Sequence, residues 1–143
     1  MLGGARHQGV LLEIQPAAVG GERELEAFLD DLGGPALLLV LDGVTDPHNL
    51  GACLRTADAA GVQAVILPKD KSVGITPVVR KVACGAAETL PMFLVTNLAR
   101  SLRTLQDAGI WLYGAAGEAE QTLYEVDFTG PVAVVLGAEG GGL

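Results

Sequence analysis

The sequence predicts an α/β fold with a Rossmann-like parallel sheet, on three observations. Short apolar runs recur between residues 36 and 137, each followed by a stretch of helical periodicity. The runs are continuous rather than alternating, as strands covered on both faces require. Asp, Thr or Asn stands where helices would start, and Gly or Pro where elements would stop. Strand–helix alternation of this kind implies right-handed crossovers around one sheet.

The elements follow in order. ALLLVL (36–41) is the first buried strand, and residues 49–60 read as its crossover helix, with Asp46 or Asn49 placed to cap it. QAVILP (63–68) is a second strand, stopped by Pro68. Residues 76–87 suit one helix, with Thr76 as cap and Pro77 in its first position. MFLV (92–95) is a short strand, and residues 97–108 form a helix capped by Asn97 and ended by Gly109. IWLYGA (110–115) and VAVVLG (132–137) are further strands. Ahead of these, HQGVLLEIQP (7–16) reads as a strand and ERELEAFLDDL (22–32) as a short acidic helix between linker-like glycines.

Composition fits a single domain. The chain has 143 residues, half of them hydrophobic, which is enough for a packed core and unlike a disordered chain. No apolar run approaches the ~20 residues of a membrane span, and MLGGARHQGV lacks the apolar segment of a signal peptide. Cys53 and Cys84 stand alone, which reads as two buried thiols in a cytoplasmic protein. His7 and His48 are too far apart in sequence to suggest a metal site, and no metal is expected.

The net charge of −8 argues against unaided nucleic-acid binding. Its distribution is uneven. Residues 1–35 carry −4 and residues 82–143 carry −5, whereas residues 42–81, with Arg55, Lys69, Lys71, Arg80 and Lys81, carry +1. These five residues make this the least acidic stretch of the chain and are its candidates for RNA contact, though on charge alone the plainer reading is that surface charges fall unevenly.

Ligands of open α/β sheets bind beyond the carboxyl ends of the strands. Three loops lie there: DGVTDPHNLGACLR after the first buried strand, GAAGEAE (114–120), and LGAEGGGL (136–143). Their small residues let a ligand lie against the backbone. None fits a dinucleotide or P-loop fingerprint. Two glycine-rich loops, one holding Glu139, suit a nucleoside-type ligand.

DPHNLGACLRTADAAG resembles the first motif of the SpoU/TrmH family of RNA 2′-O-ribose methyltransferases, and LGAEGGGL resembles its second. RHQGV, KVACGAAE, VTNLAR and AGEA…TLY extend the resemblance over nearly all of residues 6–143. It implies a sheet of the SPOUT, or trefoil-knot, type and S-adenosylmethionine-dependent 2′-O-methylation of a guanosine ribose in 23S ribosomal RNA. It further implies a homodimer. A third family motif, which completes the knot and part of the cofactor pocket, would lie beyond Leu143. The chain therefore reads as truncated at both ends and inactive alone, with an N-terminal extension over 1–35 and a partial catalytic domain over 36–143. Ala115 stands where the family often has Thr, and Gly141 where it often has Glu or Arg.

The resemblance gives roles to particular residues. Asn49 and Arg55 are catalytic candidates, on consecutive turns at a strand's carboxyl end. A ribose hydroxyl is a poor nucleophile, so its developing charge needs a donor or cation nearby. Arg55 would bind the target phosphate and stabilise the forming alkoxide. A guanidinium is almost never deprotonated, which favours that role over general base. Glu139 would orient Arg55 or the cofactor loop. Ala115, Ala116 and Gly117 would flank the adenine, and Gly137 would let the cofactor approach the backbone. The plainer reading of Arg55 is an ion pair with Asp58, and that of Glu139 is a carboxylate near a helix start.

Two rivals remain open at this point. One is a non-catalytic α/β module that binds RNA or a protein partner. The other is an NAD oxidoreductase, which needs an acid at the end of the second strand; that position reads LPKDKS, with Asp70 as the single candidate.

Overall fold

A computed structural model describes residues 17–137. In chain order the elements are β1 (Val19–Gly20), α1 (Glu22–Asp30), β2 (Leu37–Leu41), α2 (Pro47–Ala59), β3 (Ala64–Pro68), α3 (Pro77–Ala83), α4 (Ala86–Thr89), β4 (Met92–Val95), α5 (Leu98–Asp107), β5 (Trp111–Ala115) and β6 (Val132–Leu136). All strand pairs are parallel, in the order β1-β4-β3-β2-β6-β5. The expected strand over 7–16 and the loop beyond Gly137 lie outside the described residues.

Helices cover both faces. Leu39, Leu41, Val65 and Leu67 point to one face and pack with Leu50, Leu54 and Ala57 of α2 and Val79 and Ala83 of α3. Leu38, Val40, Ile66 and Phe93 point to the other, against Leu25 of α1 and Leu105 of α5. There the Phe28 and Phe93 rings meet with centroids 5.4 Å apart. Every residue of β3 is buried, as its unbroken apolar run requires. Each leucine buried this way is worth about 1.5–3 kcal/mol.

Helix ends follow their sequence signals. The Asp46 side chain accepts from the His48 N–H, Thr76 from the Val79 N–H and Asn97 from the Arg100 N–H. α2 starts at Pro47 rather than at residue 49, because Asp46 caps it and Pro47 has no N–H to leave unpaired.

Three expectations need correction. The stretch 76–87 is two helices, not one: Cys84 sits in the left-handed region at φ 52°, Gly85 at φ 100°, and the axis restarts at Ala86. The break lets Val79 and Ala83 on one side, and Ala86 and Ala87 on the other, all reach the core. The thiols are not both buried: Cys53 is half-buried and Cys84 exposed. β5 is not covered on both faces either. It is the sheet edge, and Trp111 is 70% exposed.

α2 and α3 touch more closely than any other helix pair here, and Gly51 permits it. A Cβ at Gly51 would lie 2.6 Å from Val82 Cβ and 2.9 Å from the Val79 carbonyl oxygen. Gly51→Ala should therefore destabilise the domain by about 1–3 kcal/mol through overpacking, whereas Gly33→Ala, with open space around it, should be near neutral. Urea unfolding midpoints at constant m-value report the difference. Equal midpoints for the two variants would mean that α2 and α3 are free to move apart.

Candidate functional site

Strand order reverses at β2, with β3 on one side and β6 on the other. That is where a ligand crevice forms in such sheets. In register, Leu41 of β2 stands beside Leu136 of β6, and Leu136 beside Ala115 of β5. At parallel-strand spacing this row spans about 10 Å. The three loops singled out from the sequence leave the sheet from this row.

Two cavities flank it. One, of about 560 Å³, is lined by Leu41, Asp46, Asn49, Cys53, Leu136 and Gly137, among others. The other, of about 620 Å³, takes in Tyr113, Ala115, Ala116, Thr122, Val126 and Phe128. Either volume suits a nucleoside-sized ligand. The first brings Asn49 and Gly137 together from separate motifs. The second holds Ala115 and Ala116, while Gly117 is exposed beside it. The loop over the second cavity is fixed locally: Glu125 accepts from the Thr122 N–H and hydroxyl, Asp127 accepts from the Thr129 N–H, and the Tyr113 and Phe128 rings meet at a tilt of 52° with centroids 5.4 Å apart. The N–H and hydroxyl of Thr122 hold the Glu125 carboxyl, and the hydroxyl and N–H of Thr129 hold the Asp127 carboxyl, below the ordinary range, so both stay charged.

Helix geometry separates the two catalytic candidates. Six residues along α2 turn Arg55 about 120° from Asn49. Asn49 is half-buried against the cavity; Arg55 is exposed and not part of its wall. Asp58, the expected ion-pair partner, accepts from the Thr89 hydroxyl at 3.0 Å, and no ion pair joins it to Arg55 among the described residues. Glu139 lies outside the described residues.

The basic candidates do not all stand alike. Lys69, Lys71 and Lys81 are exposed. Arg80 is half-buried and paired with Glu88 across the break between α3 and α4. Lys69 and Lys71 lie in the loop after β3, which the bond from Val73 N–H to the Val44 carbonyl (2.9 Å) ties to the turn after β2. On the far side of the row, the connection from β5 to β6 carries Glu118, Glu120, Glu125 and Asp127. With Asp70 between the two lysines and Asp42 and Asp46 in the turn after β2, the Lys69 flank is mixed in charge, while the opposite one is wholly acidic. No cluster of potential metal ligands occurs among the described residues.

Two features of the site escaped the sequence reading. Cys53 lines the first cavity, and its position four residues after Asn49 was the signal available. Asp46 does more than cap: its Oδ1 also lies 3.3 Å from Nδ1 of His48.

Comparison with known proteins adds the following. The model of the SpoU rRNA Methylase family matches residues 36–143. The 23S rRNA (guanosine-2′-O-)-methyltransferase RlmB of Pseudomonas putida is 64% identical over 137 residues, covering 96% of this chain and 55% of that protein. The protein of the same description from Vibrio vulnificus is 59% identical, covering 98% and 56%. The chain thus spans about half the length of these relatives. Among solved structures, the AdoMet-bound rRNA methyltransferase of Sinorhizobium meliloti superposes with a TM-score of 0.71 at 27% identity, covering 80% of this chain and 45% of that one.

The cavity wall has a chemical probe of its own. Burial pushes the Cys53 thiol up, leaving less thiolate at mildly alkaline pH, while Cys84 is exposed. Iodoacetamide should therefore alkylate Cys84 at least about threefold faster than Cys53, read by peptide mass spectrometry. Equal rates would mean that the cavity wall opens freely to solvent.

Proposed function

Because the chain belongs to the SpoU rRNA methylase family, we propose that it carries part of the catalytic domain of an S-adenosylmethionine-dependent methyltransferase acting on the 2′-hydroxyl of a guanosine in 23S ribosomal RNA. The names of the relatives support the substrate, and the AdoMet-bound neighbour supports the cofactor. The observation that carries the reading is the meeting of Asn49 and Gly137 in one cavity at the strand-order reversal. Residues 36–143 belong to the catalytic domain, with 1–35 leading into it. The working protein is a cytoplasmic homodimer.

The residues present fit the cofactor. The small side chains of Ala115, Ala116, Gly117 and Gly137 leave backbone groups open beside cavities of nucleoside size. Ala115–Gly117 flank the adenine and Gly137 gives the cofactor access to the backbone. Bound there, the cofactor supplies an electrophilic methyl group on a sulfonium. The chain's own work is positioning and electrostatics. Asn49 orients polar groups at the cavity wall. Arg55, exposed on the same helix, holds the target phosphate and offsets the charge that develops on the ribose oxygen. Glu139 steadies the cofactor loop or Arg55. RNA approaches over Lys69, Lys71 and Lys81, on the less acidic flank. The acidic flank repels phosphates and so sets the direction of approach. Arg80, paired with Glu88, adds less to that contact than its sequence position suggests.

Both parts of this reading are open to measurement in a full-length version carrying this sequence. Arg55→Ala should lower tritium-methyl transfer by about 10²–10³-fold and leave S-adenosylmethionine affinity nearly unchanged. Turnover like the parent's would remove Arg55 from the mechanism. Lys81→Ala should flatten the salt dependence of RNA binding, by a slope of about 1, more than Arg100→Ala or Arg103→Ala does. The reverse order would put the RNA on the other face of the sheet.

A further inference from the structure

We propose that Thr89 is a positioning residue: its hydroxyl holds the Asp58 carboxylate away from Arg55 and so keeps that guanidinium open to the RNA phosphate. This rests on the methyl-transfer reading, in which Arg55 meets the target phosphate. Thr89 itself touches neither RNA nor cofactor.

The need for such a residue comes from α2. Arg55 and Asp58 stand three residues apart on it, so their side chains are neighbours on its surface. Both are exposed, and Arg55 is the one Lys or Arg on the helix. An unrestrained Asp58 would therefore have this guanidinium as its nearest cation along the helix. An Arg55 paired in that way must break the pair before it takes a phosphate, and RNA affinity falls with the fraction of molecules that are paired. No such pair forms among the described residues. The Asp58 carboxylate instead accepts from the Thr89 hydroxyl at 3.0 Å.

Thr89 reaches Asp58, 31 positions away in the chain, because of the break after α3. Cys84 at φ 52° and Gly85 at φ 100° turn the chain, and α4 then packs against both α2 and α3. Buried Ala86, Ala87 and Leu90 anchor it. Its two polar side chains each tie it to a neighbour: Glu88 pairs with Arg80 of α3, and Thr89 bonds to Asp58 of α2. The first tie also keeps Arg80 engaged, so Arg80 does not draw Asp58 toward itself.

Relative strengths favour this arrangement. The single hydroxyl hydrogen has two acceptors in reach, Asp58 Oδ1 at 3.0 Å and the Ala86 carbonyl at 3.3 Å. The carboxylate is nearer and charged, so it wins. Its rival for Asp58 is an exposed ion pair, which is weak, and which on a helix is less favourable with the cation nearer the N-terminus. One hydrogen bond from an anchored helix is enough to divert the carboxylate.

Affinity for a fragment of 23S ribosomal RNA tests this, by filter binding with a full-length version carrying this sequence. Thr89→Val keeps the shape and loses the donor, and should weaken binding by about 2–5-fold. Thr89→Ser keeps the hydroxyl and should bind like the parent. In an Asp58→Asn background there is no charge to release, and in an Arg55→Ala background no cation to mask. Adding Thr89→Val should then change affinity by less than about 1.5-fold in either, whereas a loss of packing alone would carry over undiminished. S-adenosylmethionine affinity should not respond to any of these changes at Thr89. A Thr89→Val protein with parental RNA affinity, a Thr89→Ser protein as weak as it, or a loss that persists in either background overturns the assignment. A parent that binds the RNA but transfers no methyl overturns the methyl-transfer reading, and the binding comparison still judges the role of Thr89.

Discussion

The site depends on how α2 is seated. Its N-terminus is fixed at the carboxyl end of β2 by the Asp46 cap and by Pro47. Its body is clamped by Leu50, Leu54 and Ala57 against the sheet and by Gly51 against α3. A capping hydrogen bond is worth about 1 kcal/mol, whereas three buried apolar side chains are worth several times that. Burial therefore holds the helix in place, and the cap decides where it begins. With both settled, rotation about the axis is no longer free, and each polar side chain on α2 has a set direction. Asn49 and Cys53 go to the cavity wall; His48 and Arg55 are exposed and lie outside it.

Charge is partitioned along the same edge of the sheet. The loop after β3 brings Lys69 and Lys71 beside the turn after β2, while the connection from β5 to β6 places four acids on the opposite flank. A chain of net charge −8 can still present a local surface that phosphates approach, because screening limits the reach of distant charges to about 8–10 Å in ordinary salt. The break between α3 and α4 modifies this surface. It turns Glu88 back toward Arg80, and the resulting pair withdraws one cation from it.

Local chemistry made much of the fold legible. Buried strands reveal themselves as continuous apolar runs because both faces need apolar side chains, and β2, β3, β4 and β6 all begin and end within one residue of those runs. Thr76 and Asn97 marked helix starts because their side chains satisfy N–H groups a few residues away. The break at Cys84 was not legible. Its cause is the need of two short helices to turn their apolar faces into one core, which is a demand of packing rather than of the local chain. β5 misled for a related reason: an edge strand and a central one can share an apolar sequence, and only strand order tells them apart.

The sequence by itself determined where most of the elements lie and which residues are candidates for chemistry, since apolar period, caps and the two motifs are all local signals. Tertiary structure decided which of those residues meet. Asn49 and Gly137 are 88 positions apart in the chain, and they share a cavity because β2 and β6 pair in the sheet. Asn49 and Arg55 are neighbours in sequence, and they part because a seated helix turns them to different sides. Distance along the chain and distance in space are related only through packing, and packing is a property of the whole sheet.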